Sequence, residues 1–110
     1  MSRRPHAYSP QAETAAKLLG EQVRLGRLER RWTVEELAER VGVNHGTIRK
    51  VERGDLTVGM GPALEAASLV GVSLFSTEPA GLGPALRDVR ASLALIPSRA
   101  KRPRAVDVDF

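Results

Sequence analysis

The chain has 110 residues, 42% of them apolar and 27% charged, which suits one modest globular domain with tails. Its 17 Lys and Arg outnumber its 13 Asp and Glu, for a formal net charge of +4, and that excess favours a polyanionic partner. The absence of cysteine excludes a disulfide framework or a thiolate metal site, two histidines are too few for a metal cluster, and no apolar run approaches a membrane span.

Residues 1–8 read as a basic arm with Arg3, Arg4 and His6, whose plainest reading is a frayed terminus and whose alternative is an arm for the DNA minor groove. No apolar stretch follows them, so no signal peptide is read and a cytoplasmic location is expected. Ser9 and Pro10 then open a helix, with Ser as N-cap and Pro at the first helical position. Ala12, Ala15, Leu19, Val23 and Leu28 are expected to line its inner side. Arg24, Arg27, Arg30 and Arg31 occupy its last turns, where cations suit the negative helix end. Gly20 and Gly26 each weaken this helix by about 1 kcal/mol relative to Ala.

Thr33 begins a second helix, with Glu36 completing a T-x-x-E capping box and Trp32 and Leu37 at the hydrophobic-staple positions. Leu37, Ala38 and Val41 make a short apolar stripe, and Gly42 stops the helix. Asn44 caps a third helix, with Val43 and Ile48 as the second staple, Ile48 and Val51 facing inward, and Gly54 at its end. Two helices this short with so brief a joint must cross steeply, which is the helix-turn-helix unit. The outward face of the third helix carries His45, Thr47, Arg49 and Lys50, all donors or donor-acceptors, whereas Glu52 is expected to point inward. Taken blandly, this is a solvated helix hairpin within an all-helical domain.

The run ELAERVGVNHGTIRKVERG resembles the helix-turn-helix of the XRE (Cro-type) group of phage and bacterial repressors, and the resemblance spans roughly residues 19–75. It implies sequence-specific binding of double-stranded DNA, with two copies on a palindromic operator. Base reading would then fall to His45, Gly46, Thr47, Arg49 and Lys50. Gly46 departs from the group's pattern by offering no side chain. Thr33, Val34, Asn44 and Arg53 would meet phosphates, although the group often has Gln where this chain has Val34. The resemblance also implies a structural ion pair between Arg27 and Glu52, and close helix packing at Gly20.

Residues 55–61 read as a loop, one residue longer than in the phage repressors. Arg53 suits a phosphate there, while Asp55 would repel one. Pro62 is expected to open a fourth helix with Met60, Leu64, Ala67 and Val70 inward and Gly71 at its end. Val72, Leu74 and Phe75 follow as a short helical turn. Residues 77–84, with Pro79, Gly81, Gly83 and Pro84, have the composition of a connector. Beyond it Leu82, Leu86, Val89, Leu93 and Ile96 recur at heptad spacing on a helix over about 84–95. That seam either packs on the domain or joins two copies; dimerisation through Leu86, Val89, Leu93 and Ile96 is preferred, because operator reading by this fold uses two copies.

Pro97 ends the helix. Residues 98–104 are basic, and 105–110 then alternate Val106, Val108 and Phe110 with Asp107 and Asp109. This is a strand period, suited to a partner's pocket or sheet edge, with a solubilising tail as the plain alternative. The ending LIPSRAKRPRAVDVDF resembles that of HipB-type antitoxins, which implies a HipA-like kinase toxin as partner, bound through Val106, Val108 and Phe110. No catalytic constellation is present and no cofactor or metal is expected: His45 has no nucleophile beside it, and Gly59-Met60-Gly61 is too short for a phosphate-cradling loop.

The expected fold is all-α, a five-helix lambda-repressor-like helix-turn-helix domain with an extra C-terminal helix and an extended tail. Its parts would be an arm (1–8), a DNA-binding domain (9–76), a connector with a dimerisation helix (77–97) and a tail (98–110). The expected function is an autoregulating repressor and antitoxin. The alternatives are a free-standing phage or host regulator without a toxin, or a protein-interaction module that keeps the fold and reads no DNA.

Overall fold

Local start signals account for three of the five α-helix starts in the computed structural model, which describes residues 7–98. The first helix, α1 (Pro10–Glu29), starts where Ser9 Oγ accepts from the Ala12 backbone at 3.1 Å. The second, α2 (Val34–Val41), has the full capping box, with Thr33 Oγ1 accepting from Glu36 N at 3.0 Å and Glu36 Oε1 from Thr33 N at 2.8 Å. In α3 (His45–Glu52), Asn44 Oδ1 accepts from Thr47 N at 2.9 Å. Then come α4 (Met60–Leu69), a short turn at Leu74–Ser76, another at Pro79–Gly81, and α5 (Leu82–Leu93). The chain divides after Ser76 into two compact units, and no strand occurs among the described residues.

Four helices end in the same way. In α1 to α4 an amide two or three residues past the last helical residue bonds back to a carbonyl of the final turn: Trp32 to Arg27, Val43 to Ala38, Asp55 to Lys50 and Val72 to Ala67. This closure needs a left-handed residue just before that amide. Gly42, Gly54 and Gly71 supply it with φ of 88°, 76° and 79°, but after α1 the position is Arg31, at φ 58°. Trp32, Val43 and Val72 each then turn inward and pack on the core.

That core is small-chained, as the scarcity of aromatics implies. Val23 of α1, Leu37 and Ala38 of α2, Ile48 and Val51 of α3, and Ala66, Ala67 and Val70 at the end of α4 are buried together. The inner stripe of α1 differs from the expected one: Ala15 is exposed and Leu28 is half-exposed, while Gly20, Gly26 and Arg27 are buried beside Val23. The reason is backbone proximity. A Cβ at Gly20 would strike the Val51 and Glu52 carbonyls, and one at Gly26 would lie 2.6 Å from the Val70 carbonyl oxygen. The two glycines therefore set the contact line, and Leu28 falls beyond it.

The fourth helix also begins earlier than expected. Gly59 is its N-cap and Pro62 its third residue, which is permissible because first-turn amides have no helical acceptor for proline to forfeit. Its buried stripe is Ala66, Ala67 and Val70, with Ala63 partly buried against the core and Leu64 half-buried. Met60, expected inward, extends the stripe one turn past the core and is 74% exposed. At Leu74–Ser76 the turn is not regular, since Phe75 and Ser76 have φ of 55° and 58° and Phe75 is exposed.

In the second unit, much of the expected connector is helical. The turn at Pro79–Gly81, closed by Gly81 N on Glu78 O at 2.8 Å, runs straight into α5, whose first residues include Gly83 and Pro84. The helix ends at Leu93 rather than near 95, and Ile96 sits in the turn beyond it. Leu86, Val89, Leu93 and Ile96 are between 50% and 61% exposed, and α5 has no buried residue. The arm residues Arg3, Arg4 and His6 lie outside the described residues, as do the tail residues Val106, Val108 and Phe110.

Candidate nucleic-acid interface

The third helix is held by its back so that its front is free. Ile48 and Val51 anchor it in the core, and Glu52 is turned onto Arg27 of α1. Arg27 Nε donates to Glu52 Oε2 at 2.6 Å and Nη2 to Oε1 at 3.0 Å, while Nη1 donates to the Trp32 carbonyl at 2.9 Å. Both side chains are nearly buried, at 9% and 8% exposed, and the pair is bidentate, with a third guanidinium nitrogen engaged by the Trp32 carbonyl. The hydrogen bond to Glu52 raises the affinity of Arg27 for its proton, against the opposing effect of burial. Trp32 is covered in turn by the Arg40 guanidinium, 4.1 Å from the ring centre.

The only carboxylate of α3 is thereby removed from its exposed side. His45, Arg49 and Lys50 are exposed there, and Gly46 and Thr47 are half-buried at its start. The Thr47 hydroxyl lies 3.3 Å from Asn44 Oδ1, so the cap engages both the amide and the hydroxyl of Thr47. A Cβ at Gly46 would meet only Asn44 Oδ1, at 3.1 Å. Thr33 is exposed at the start of α2, and Val34, the next residue, is half-buried against the core. The helix starts at Thr33 and Asn44 each leave first-turn amides suited to an anion.

Beyond α3, Arg53 is exposed with Asp55 beside it, Arg53 Nη2 to Asp55 Oδ2 being 3.7 Å. Asp55 Oδ1 accepts from the Thr57 hydroxyl at 2.6 Å and from its amide at 2.8 Å. These bonds hold the Asp55 carboxyl below the usual carboxylate range, against an opposing desolvation, and the charges of Arg53 and Lys50 add a lesser pull the same way. One contact has no signal in the local sequence. Arg49 Nη2 lies 3.4 Å from Glu35 Oε2, so an acidic side chain of α2 reaches the α3 face across the turn. Only the crossing of the two helices brings residues fourteen positions apart together.

Two crossed eight-residue helices, the second presenting cations and hydrogen-bonding groups, define a DNA-binding helix-turn-helix unit. The chain belongs to the helix-turn-helix domain family, whose pattern it matches over residues 18–74. The match covers α2, α3, α4 and most of α1, and supports an XRE-like DNA-binding regulator. No curated protein and no solved structure matches the chain. Among the described residues, no helix is long and apolar enough to cross a membrane, and no group of three or more acidic or histidine side chains could hold a metal ion.

Proposed function

We propose that the protein is a sequence-specific transcriptional repressor that acts in the cytoplasm and binds a palindromic operator as a homodimer. The observation that carries this reading is the α3 face, cationic and exposed, with its one carboxylate locked onto Arg27. His45, Thr47, Arg49 and Lys50 read base edges, and the Gly46 backbone approaches the groove. Thr33, Val34, Asn44 and Arg53 hold phosphates. The apolar row of α5 and the turn after it, with Leu86, Val89, Leu93 and Ile96 each at least half exposed, supports pairing of two copies.

The experiment is selection of DNA by the purified full chain, with affinity then measured across salt. A recovered palindrome and a steep fall in affinity with salt are expected, because neutralising phosphates releases counterions. Salt-insensitive or absent binding would leave a protein-interaction module. Within the DNA reading, we infer that the protein is the antitoxin of a HipA-like kinase, bound through Val106, Val108 and Phe110. The likeness of residues 95–110 to HipB-type endings is what supports this. Deleting residues 105–110 should keep the DNA preference and weaken a complex with a kinase encoded beside it. A neighbourhood without such a gene points to a free-standing regulator.

A further inference from the structure

Among the exposed groups of α3, Arg49 differs in having an acidic partner on another helix. Its Nη2 lies 3.4 Å from Glu35 Oε2, with the two side chains 51% and 61% exposed. The same carboxylate is close enough to Arg27 to add to that guanidinium's hold on its proton, so Glu35 acts on cations of both α1 and α3. An exposed ion pair contributes little to folding. Its consequence lies in what Arg49 can bind.

We infer that Glu35 is a specificity-determining positioning residue, which presents Arg49 to base edges and bars it from the phosphate backbone. The inference rests on the DNA-reading function proposed above. An unpaired guanidinium is attracted to phosphate, which it grips bidentately wherever the backbone offers one. Beside Glu35 the same guanidinium belongs to a pair of zero net charge. A phosphate approaching it meets the carboxylate as well, whereas guanine O6 and N7 are neutral acceptors and carry no such penalty. The Glu35 contact uses one of the five N–H donors of Arg49, so a fork for guanine remains. Tethering also spares part of the rotamer freedom that a long side chain otherwise loses on binding. Glu35 thus converts a general DNA cation into a reader.

The test uses the full chain and its Glu35→Gln, Arg49→Ala, Glu35→Gln/Arg49→Ala and Glu39→Gln variants, with helical content matched by circular dichroism. Glu39 is an exposed carboxylate one turn along α2, and it controls for charge alone. Each protein is titrated with the duplex selected by the unmutated chain and with a random duplex of equal length, over a range of salt. Glu35→Gln is expected to tighten random-duplex binding and to steepen its log–log salt slope by about 0.9, one extra phosphate contact. The ratio of selected to random affinity should fall at least about fivefold, with preference lost at the base pair that Arg49→Ala also relaxes. Neither change should occur in the Arg49→Ala background or with Glu39→Gln. An unchanged slope and ratio in Glu35→Gln overturns the inference, as do equal changes in Glu39→Gln or without Arg49. If the unmutated protein shows no salt-dependent DNA binding, the DNA reading fails and this inference fails with it.

Discussion

Arg31 occupies a position where the other three helix ends of this kind have glycine, and its φ of 58° carries a cost that glycine would not. Arg31→Gly should therefore stabilise the protein by roughly 0.5–1 kcal/mol, the relief of left-handed strain less the added entropy of the unfolded chain. The urea midpoint should rise at constant m; a lower midpoint would show that Arg31 makes a contact worth more than its strain. The buried pair behaves oppositely. Glu52→Ala leaves the Arg27 charge unmatched among buried groups and should cost about 3–5 kcal/mol, whereas Arg27→Met/Glu52→Leu together should come close to neutral. Equal losses from the single and double changes would show that packing, not charge, is lost. At Asp55 the folded-state carboxyl titrates below its unfolded value, so its stabilising effect is complete above the ordinary aspartate range and is lost as pH falls through the lowered one. Asp55→Asn should accordingly flatten the loss of stability below about pH 4 and leave neutral pH dependence unaltered. Denaturant titrations of both proteins at a series of acid pH values decide this.

At the scale of the element, α3 combines two kinds of cation. Lys50 stands on the exposed face, and Arg53 caps the helix end beside Asp55. Lys50→Ala is expected to cost about 1–3 kcal/mol on the operator and to relax preference at one base pair. Arg53→Ala should weaken all sequences alike and flatten the salt slope by about one unit. Selected-site sequencing of both variants separates the roles. A uniform loss with no change of preferred sequence in Lys50→Ala would place that residue on the backbone instead. The starts of α1, α2 and α3 are legible from Ser9, Thr33 and Asn44 because a cap and the amides it serves lie within three residues of each other. The starts of α4 and α5 are not. Pro62 and Pro84 read as first residues or breakers, yet each sits inside a first turn whose amides need no helical acceptor, so proline marks a start only to within a few residues.

For the whole molecule, two copies joined through α5 should place their recognition helices about one DNA turn, roughly 34 Å, apart on the operator. Leu86→Asp together with Leu93→Asp should yield monomers of unchanged helical content with no operator binding. A dimer persisting in sedimentation would assign the seam another role. The all-helical fold, the helix-turn-helix and the inward turn of Ile48 and Val51 were already written in the chain, because caps, staples, stop glycines and apolar spacing act between residues a few positions apart. Where α1 rests was not. Its line of contact passes through Gly20 and Gly26, where α1 lies against carbonyls of α3 and of the end of α4, so Leu28, apolar but five residues beyond Val23 and off that line, is left half-exposed. The exposure of Met60 and the meeting of Glu35 with Arg49 have the same origin. Each depends on how far apart and at what angle two helices pack, and that is set by backbone approach over the whole core, a quantity to which no short stretch of residues corresponds.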